Sequence, residues 1–498
     1  MRAIYGVVLF SVVVAAAGPA AAQDVDMLLQ LDERANRPAE PWVPREDLLQ
    51  YPAGKLIFSM PAPYDTVLHD NARCIVGVND VTGDGNREVV VGFEFSQAPN
   101  VYCLDGTSRG SASVAWSYQT VTGASGGYIY GDQAIVQASD AEGNGFQNLL
   151  VGTGGGGRAA HSLDSLAGTL VWKFDTYLEP NSGWVYSLAE LNDVNDDMVP
   201  DVAFGAGSYN DTLYVVDGSS TGGLATQATV LWSSYVGDAV YSVRDIGDVN
   251  GDGKHDVLAA VGDDVDILYC YSGGSSPPTG DVLWSYTPGV SLYACGVLPD
   301  VTGDGVNEAL AVLWTTTGGS AIRCRNGVNG AQVWNSTTVG DYGMMVDALE
   351  DVTGDGKAEV IVSSWENAVI VLSGADGGQV WKTTVGTLNG GDVWTAHAID
   401  DLNGDGYQDV VAGSFDNYVY AMSGVDGTIL WTFNTPGNRV YSVVPVGDLN
   451  HDGRPEVGVA TQEWVDFSDV VFVLWGEPPL FADDLETGTT GNWSFTQP

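Results

Sequence analysis

Eight stretches of nine residues carry oxygen-bearing side chains at alternate positions, and that spacing is the chemistry of a hard cation. The clearest is DVNGDGKHD, with Asp248, Asn250, Asp252 and Asp256 at positions one, three, five and nine. Gly253 at position six permits the positive φ of a sharp turn. Lys254 at position seven would give only its backbone carbonyl. A tight loop of alternating carboxylates supplies the roughly six to eight oxygens, at about 2.3–2.6 Å, that Ca²⁺ takes.

The pattern recurs with a period of about 53 residues, the range of solenoids and propellers. The first loop holds Asp80, Thr82, Asp84, Asn86 and Glu88, and the third holds Asp193, Asn195, Asp197 and Asp201. After the Asp248 loop come Asp300, Thr302, Asp304, Val306 and Glu308, then Asp351, Thr353, Asp355, Lys357 and Glu359. The last two hold Asp401, Asn403, Asp405, Tyr407 and Asp409, and Asp448, Asn450, Asp452, Arg454 and Glu456. The second loop, DAEGNGFQN from Asp140, has Asn144 and Asn148 where carboxylates are usual. Met198 replaces the turn glycine of the third. Those two are expected to bind weakly or not at all and the other six well, for about six to eight Ca²⁺ in all.

The elements that hold these loops read as strands. An apolar stretch such as VYSVRDIG enters the loop and DVLAAVG leaves it. An EF-hand would continue as a helix instead. A hairpin then leads to a third strand such as DILYCYSG, and a Gly-rich turn to a fourth marked by Trp116, Trp172, Trp232, Trp284, Trp334, Trp381 or Trp431. Four strands per repeat of this length make one propeller blade. Phe58 takes the place of an eighth Trp in a strand that lacks its first three partners, while the residues after Asp448 supply three strands and no fourth. Joining these ends, Gly54–Ser59 beside Val470–Trp475, closes an all-β, eight-bladed β-propeller with no open edge.

The domain reading follows. Residues 1–22 read as a signal peptide, with Arg2, an apolar core and Ala20-Ala21-Ala22 before Gln23. Residues 23–53 form a Pro-interrupted linker with a short helix near Val25–Arg34, 54–476 the propeller, and 477–498 a C-terminal appendage that begins a truncated domain. The expected location is secreted, extracellular or periplasmic. The formal net charge of −46 repels nucleic acid and anionic lipid, and no later run is apolar enough to span a bilayer. Neither nucleic acid nor membrane insertion is therefore expected, and the chain is expected to act as a monomer. The five cysteines fall on first and third strands with a second strand between, about 9–10 Å apart, too far for a disulfide. They are expected to be buried thiols.

The loops resemble the FG-GAP or VCBS repeats of integrin α-chain propellers and of many secreted bacterial proteins. GSFDNYVYAMSGVDGTILWTF, Gly413 to Phe433, also resembles the repeat of pyrroloquinoline-quinone-type propellers, commonly eight-bladed. Together the resemblances cover about residues 54–476 and imply the fold and calcium more than an activity.

No zinc spacing and no Ser-His-Asp pattern stands out, and GTGGGGRAAH from Gly152 lacks the lysine and helix of a phosphate site. The Trp series is expected to pack between blades. So is a second series seven residues before each loop: Arg73, Gln133, Tyr186, Tyr241, Tyr293, Met344, Trp394 and Tyr441. The expected function is a non-catalytic binding or adhesion module for a protein or glycan. The enzyme alternatives are a quinone-dependent dehydrogenase, whose family usually has an adjacent cysteine pair that this chain lacks, and a calcium-dependent polysaccharide lyase resembling the rhamnogalacturonan lyases. All eight metal loops should emerge on one face. The other face varies between repeats and carries aromatic residues beside amides and carboxylates, so ligand is expected there, with Tyr177, Trp184, Trp365 and Phe415 as leading contacts.

Overall fold

The computed structural model describes residues 56–61, 71–94, 99–121, 127–129, 133–176, 183–207, 210–221, 227–262, 264–315, 321–386, 391–435, 438–463 and 470–476. The segments expected to form the signal, linker, short helix and C-terminal appendage lie outside the described residues, as does Tyr177.

The described residues form eight sheets, antiparallel but for one short parallel strand at an edge, and no α-helix. In blade four the order is Val240–Gly247, Asp256–Val261, Ile267–Tyr271 and Val282–Tyr286, each hydrogen-bonded to the next. The other blades repeat this order. Only the first strands touch their counterparts in both neighbouring blades all the way round, so they line the axis. Second strands are buried along their length, as in Asp256–Val261, because blades pack on both faces. The core is accordingly eight inter-blade layers rather than one centre; Val243, Val257 and Ala259 of blade four share one layer with Trp232, Leu213 and Val215 of blade three.

The ring closes as expected. Leu56–Pro61 pairs antiparallel with Val470–Leu474, from Leu56 opposite Leu474 to Pro61 opposite Val470, and so completes blade eight. Gly54 and Lys55 of that expectation lie outside the described residues. A two-residue strand from blade one, Gly110–Ser111, then lies parallel against Phe58–Ser59 and covers the outer edge.

The Trp series docks one blade on the next. Trp232 Nε1 donates to the Gly273 carbonyl at 2.9 Å, Trp284 to Gly327 at 2.6 Å, Trp334 to Gly374 at 2.7 Å, Trp381 to Gly424 at 2.7 Å and Trp431 to Gly476 at 2.6 Å. Each acceptor belongs to the following blade. The same indoles explain a glycine: a Cβ on Gly427 would lie 2.5 Å from the Trp381 ring, and its φ of +72° disfavours other residues as well. The five cysteines are all buried, and the second strand of blade one separates Cys74 from Cys103.

Candidate metal loops and the aromatic face opposite them

Seven of the eight loops are built by two end carboxylates, and the second by Asp140 and Asn148. Asp80 accepts the N–H groups of Gly83 at 2.7 Å and Gly85 at 2.8 Å, and Asp351 those of Gly354 at 2.6 Å and Gly356 at 2.7 Å. Position nine closes the loop from the other end. Glu88 accepts the Val81 N–H at 2.7 Å and Asp256 the Val249 N–H at 2.8 Å. The chain turns left-handed at position four as well as six. Gly251 and Gly253 lie at φ +79° and +86°, and non-glycine residues take position four at Asp196 and His451, with φ +68° and +62°.

The acids converge. In the loops of Asp80, Asp300 and Asp351, positions one, five and nine bring carboxylate oxygens within 4.8 Å of one another. Where asparagine holds position three, its amide lies among the same groups; Asn250 Nδ2 is 3.0 Å from Asp252 and 3.4 Å from Asp256. Position nine is buried in every loop where it is an acid. Burial, reinforced by the neighbouring carboxylates, pushes Asp256 and Asp409 up to about 6, Asp201 to about 7 and Glu456 to about 8, and raises Glu88, Glu308 and Glu359. A divalent cation would remove that penalty and hold these groups ionised. Hard oxygen donors, convergence and an electrostatic demand for positive charge all fit Ca²⁺. Positions one, three, five and nine would supply side-chain oxygens, and Asn86, Lys254, Val306, Lys357, Tyr407 and Arg454 backbone carbonyls.

The two irregular loops keep the shared framework. Met198 adopts φ +77° with 90% of its surface exposed, and its N–H reaches Asp193 at 2.7 Å as a glycine would. Beside that loop Lys254 Nζ, from position seven of the next, bonds to the Asp193 carbonyl at 2.9 Å and to the Asp196 carboxylate. In the second loop Asn148 accepts the Ala141 N–H at 3.1 Å and keeps the closure. Only Asp140 and Glu142 remain as acids there, and burial raises Glu142. Neighbouring loops are tied together: Asn307 bonds to the Ile246 carbonyl and Arg454 to that of Leu402, both at 3.1 Å.

First strands begin and second strands end on the opposite face, which carries an arc of touching rings. Successive centroid separations are 5.9 Å for Trp184–Tyr186, 5.3 Å for Tyr186–Tyr241, 5.9 Å for Tyr241–Tyr293 and 5.5 Å for Tyr293–Trp314. Trp314 lies 4.3 Å from Tyr342 and 4.9 Å from Trp365, Trp365 6.4 Å from Trp394, and Trp394 5.3 Å from Tyr441. The arc spans six blades. It brings together Trp184, Trp365 and Phe415, but not in equal roles. Trp365 is half-buried and Phe415 is 6% exposed, stacked between Trp394 and Tyr441 under Arg439. Trp184 lies over the backbone of Gly154, where a Cβ would come within 2.6 Å of its ring. Trp314 and Tyr342 were not marked by the sequence. Their signal was position: each ends or precedes a strand on this face.

Residues 351–412 and 401–459 match the FG-GAP-like repeat. No curated protein matches the chain. Among solved structures, the Saccharomyces cerevisiae Sqt1 is 12% identical, with a TM-score of 0.58 over 84% of this chain and 98% of that one. The C-terminal WD40 domain of Sif2 is 10% identical, with 0.55 over 85% and 99%. Chaetomium thermophilum Sqt1 bound to the N-terminus of the ribosomal protein L10 is 12% identical, with 0.52 over 84% and 99%. At these identities the likeness is one of fold.

Proposed function

We propose, on the footing that the chain is an FG-GAP-repeat β-propeller, that it is a secreted, calcium-stabilised, non-catalytic module that binds a protein or glycan on the face opposite its metal loops. The observation that carries this reading is the division of labour between the two faces. One bears converging carboxylates, whose buried members are pushed upward and favour a cation. The other bears the aromatic arc, carried by first strands at Tyr186, Tyr241, Tyr293, Trp394 and Tyr441 and by the connections at Trp184, Trp314, Tyr342 and Trp365. A propeller of the same fold, Chaetomium Sqt1, is described bound to a peptide N-terminus, so the fold suits capture without chemistry. A secretory signal at 1–22 would place the chain where millimolar calcium keeps such loops filled.

The test is binding of the calcium-loaded protein to immobilised glycans and to an extracellular protein fraction, repeated in chelator. Saturable binding without turnover, weakened together with stability by chelator, is expected. Release of shortened or unsaturated sugar products, or a quinone absorbance in the purified protein, would replace this reading with an enzymatic one.

A further inference from the structure

The third loop is the most acidic of the eight. It carries Asp193, Asp196, Asp197 and Asp201, where no other loop has more than three acids, and the extra one stands at position four. Six loops have glycine there and the last has His451. The Asp196 side chain is 84% exposed, so packing does not account for it.

Its partner comes from the next blade. Lys254, at position seven of the fourth loop, reaches back across the blade boundary, and its Nζ donates to the Asp193 carbonyl at 2.9 Å and to the Asp196 carboxylate. The two loops are held in register beside this contact. Asn192 Nδ2 donates to the Gly253 carbonyl at 2.9 Å and its Oδ1 accepts the His255 N–H at 2.8 Å. The lysine side chain is only 18% exposed. The hydrogen bond to Asp196, with the charges of Asp196, Asp193 and Asp201 behind it, raises the Lys254 pKa, so the ammonium feels the end acids of the loop as well as its own partner. Arg454, at position seven of the eighth loop, makes the same backward reach to the Leu402 carbonyl at 3.1 Å, but position four of that preceding loop is Gly404, which offers no carboxylate.

An ammonium and a calcium ion answer the same electrostatic demand. Without an ion the lysine offsets part of the charge of four crowded acids, and it repels an ion that arrives beside it. Met198, the residue that breaks the loop pattern, has the weaker case against it. It already turns at φ +77°, keeps its side chain in solvent and donates its N–H to Asp193 at 2.7 Å.

We propose that Lys254 is a tethered cation for the third loop, and that it, rather than Met198, is what weakens Ca²⁺ binding there. The proposal rests on the reading of the loops as calcium sites. The joint between blades three and four is thereby braced by the chain itself when calcium is scarce.

The test is calcium uptake by equilibrium dialysis over a range of free calcium. Lys254→Met keeps most of the stem, and the backbone carbonyl that the fourth loop needs, but loses the charge. It is expected to tighten one site about tenfold, the scale of a unit charge acting over a few ångströms on a divalent ion near the surface. Adding Asp201→Asn should abolish that gain and so assign it to the third loop. Lys254→Arg and Met198→Gly should both titrate like the wild type. Melting gives a second readout: Lys254→Met should melt below the wild type in chelator and draw level with it in excess calcium, whereas lost packing alone would cost the same in both. Tightening by Met198→Gly and not by Lys254→Met overturns the proposal, and so does a melting deficit that calcium leaves unchanged; both results leave the calcium reading standing. Wild-type protein that takes up no calcium at any loop would overturn that reading and the proposal with it.

Discussion

Trp232 and Asp256 belong to different blades yet meet on one residue. The indole N–H of Trp232 donates to the carbonyl of Gly273 at 2.9 Å, and the N–H of Gly273 donates to the carboxylate of Asp256 at 3.1 Å. The same relay joins Trp381, Gly424 and Asp409 at 2.7 and 3.1 Å. The glycine that anchors one blade's Trp through its carbonyl therefore also orients, through its N–H, the innermost acid of its own blade's loop. The candidate metal loop and the blade docking share a part.

Trp232→Phe should keep most of the packing and strand the Gly273 carbonyl, costing about 1–2 kcal/mol in urea unfolding. Trp232→Ala should cost about 3–5 kcal/mol. Gly273→Ala is expected to be worse than either in kind, since its Cβ would sit 1.8 Å from the His255 carbonyl oxygen, and no soluble folded protein should be recovered. A Gly273→Ala protein with wild-type stability would refute the close packing of the turn on the loop.

Chelator should lower the melting temperature, because an ion held only by the folded state stabilises it by mass action. Removing one acid from a well-formed loop, as in Glu308→Gln, should reduce the bound calcium measured after dialysis by about one ion per chain. Asn148→Ala, at position nine of the second loop, should leave the count as it was, since that loop has only Asp140 and Glu142 as acids. An unchanged melting curve in chelator would remove calcium from the account.

His161 makes a separate prediction about acid. It is fully buried against Tyr118, and burial pushes its imidazole down to about 3 from an ordinary 6.5. Above pH about 6.5 the ring is neutral folded and unfolded, and pH has no effect through it. As pH falls from there toward 3, the unfolded chain takes a proton that the folded chain refuses. Stability should then drop by up to about 1.4 kcal/mol per pH unit through this group. His161→Met should lose that slope, so the stability difference between the two proteins should move in the variant's favour between pH 7 and 5. Parallel pH profiles would show that the imidazole is protonated in the fold.

Phe58→Ala tests the closure. Phe58 is fully buried in the strand that completes blade eight, so about 3–5 kcal/mol should be lost in urea unfolding, as much as from a Trp on any other blade. A loss below about 1 kcal/mol would mean that the closing strand contributes little.

What the sequence made legible was whatever repeats locally. The Trp of each fourth strand recurs at one period, and the strand missing at one end of the array is supplied by the other, so the eight-bladed ring was legible. Less legible were features that depend on which blades touch. The residues seven before each loop read as packing, and Tyr186, Tyr241 and Tyr293 do contact across blades. They contact one another, however, as part of a continuous arc, and nothing in their spacing shows that Trp314 and Tyr342 bridge them to Trp365. Phe415 looked like a presented aromatic because its hairpin is exposed in pattern, but Trp394, Tyr441 and Arg439 cover it. Met198 looked like a broken turn, yet a left-handed methionine keeps the Asp193 hydrogen bond that matters to the loop.

The strand at Leu56–Pro61 leaves the ribosome before any other described strand, and its partner at Val470–Leu474 leaves last. A nascent chain must therefore carry this apolar strand without its Val470–Leu474 partner through the making of seven blades. Blade eight has the largest sequence separation in the protein, and such contacts are the slowest to form. Until it zips, blades one and eight are the two raw flanks of an open arc, each showing a face that is buried in the finished ring. Of the two segments that pair with this strand, Gly110–Ser111 is synthesised long before Val470–Leu474 and is the nearer in sequence.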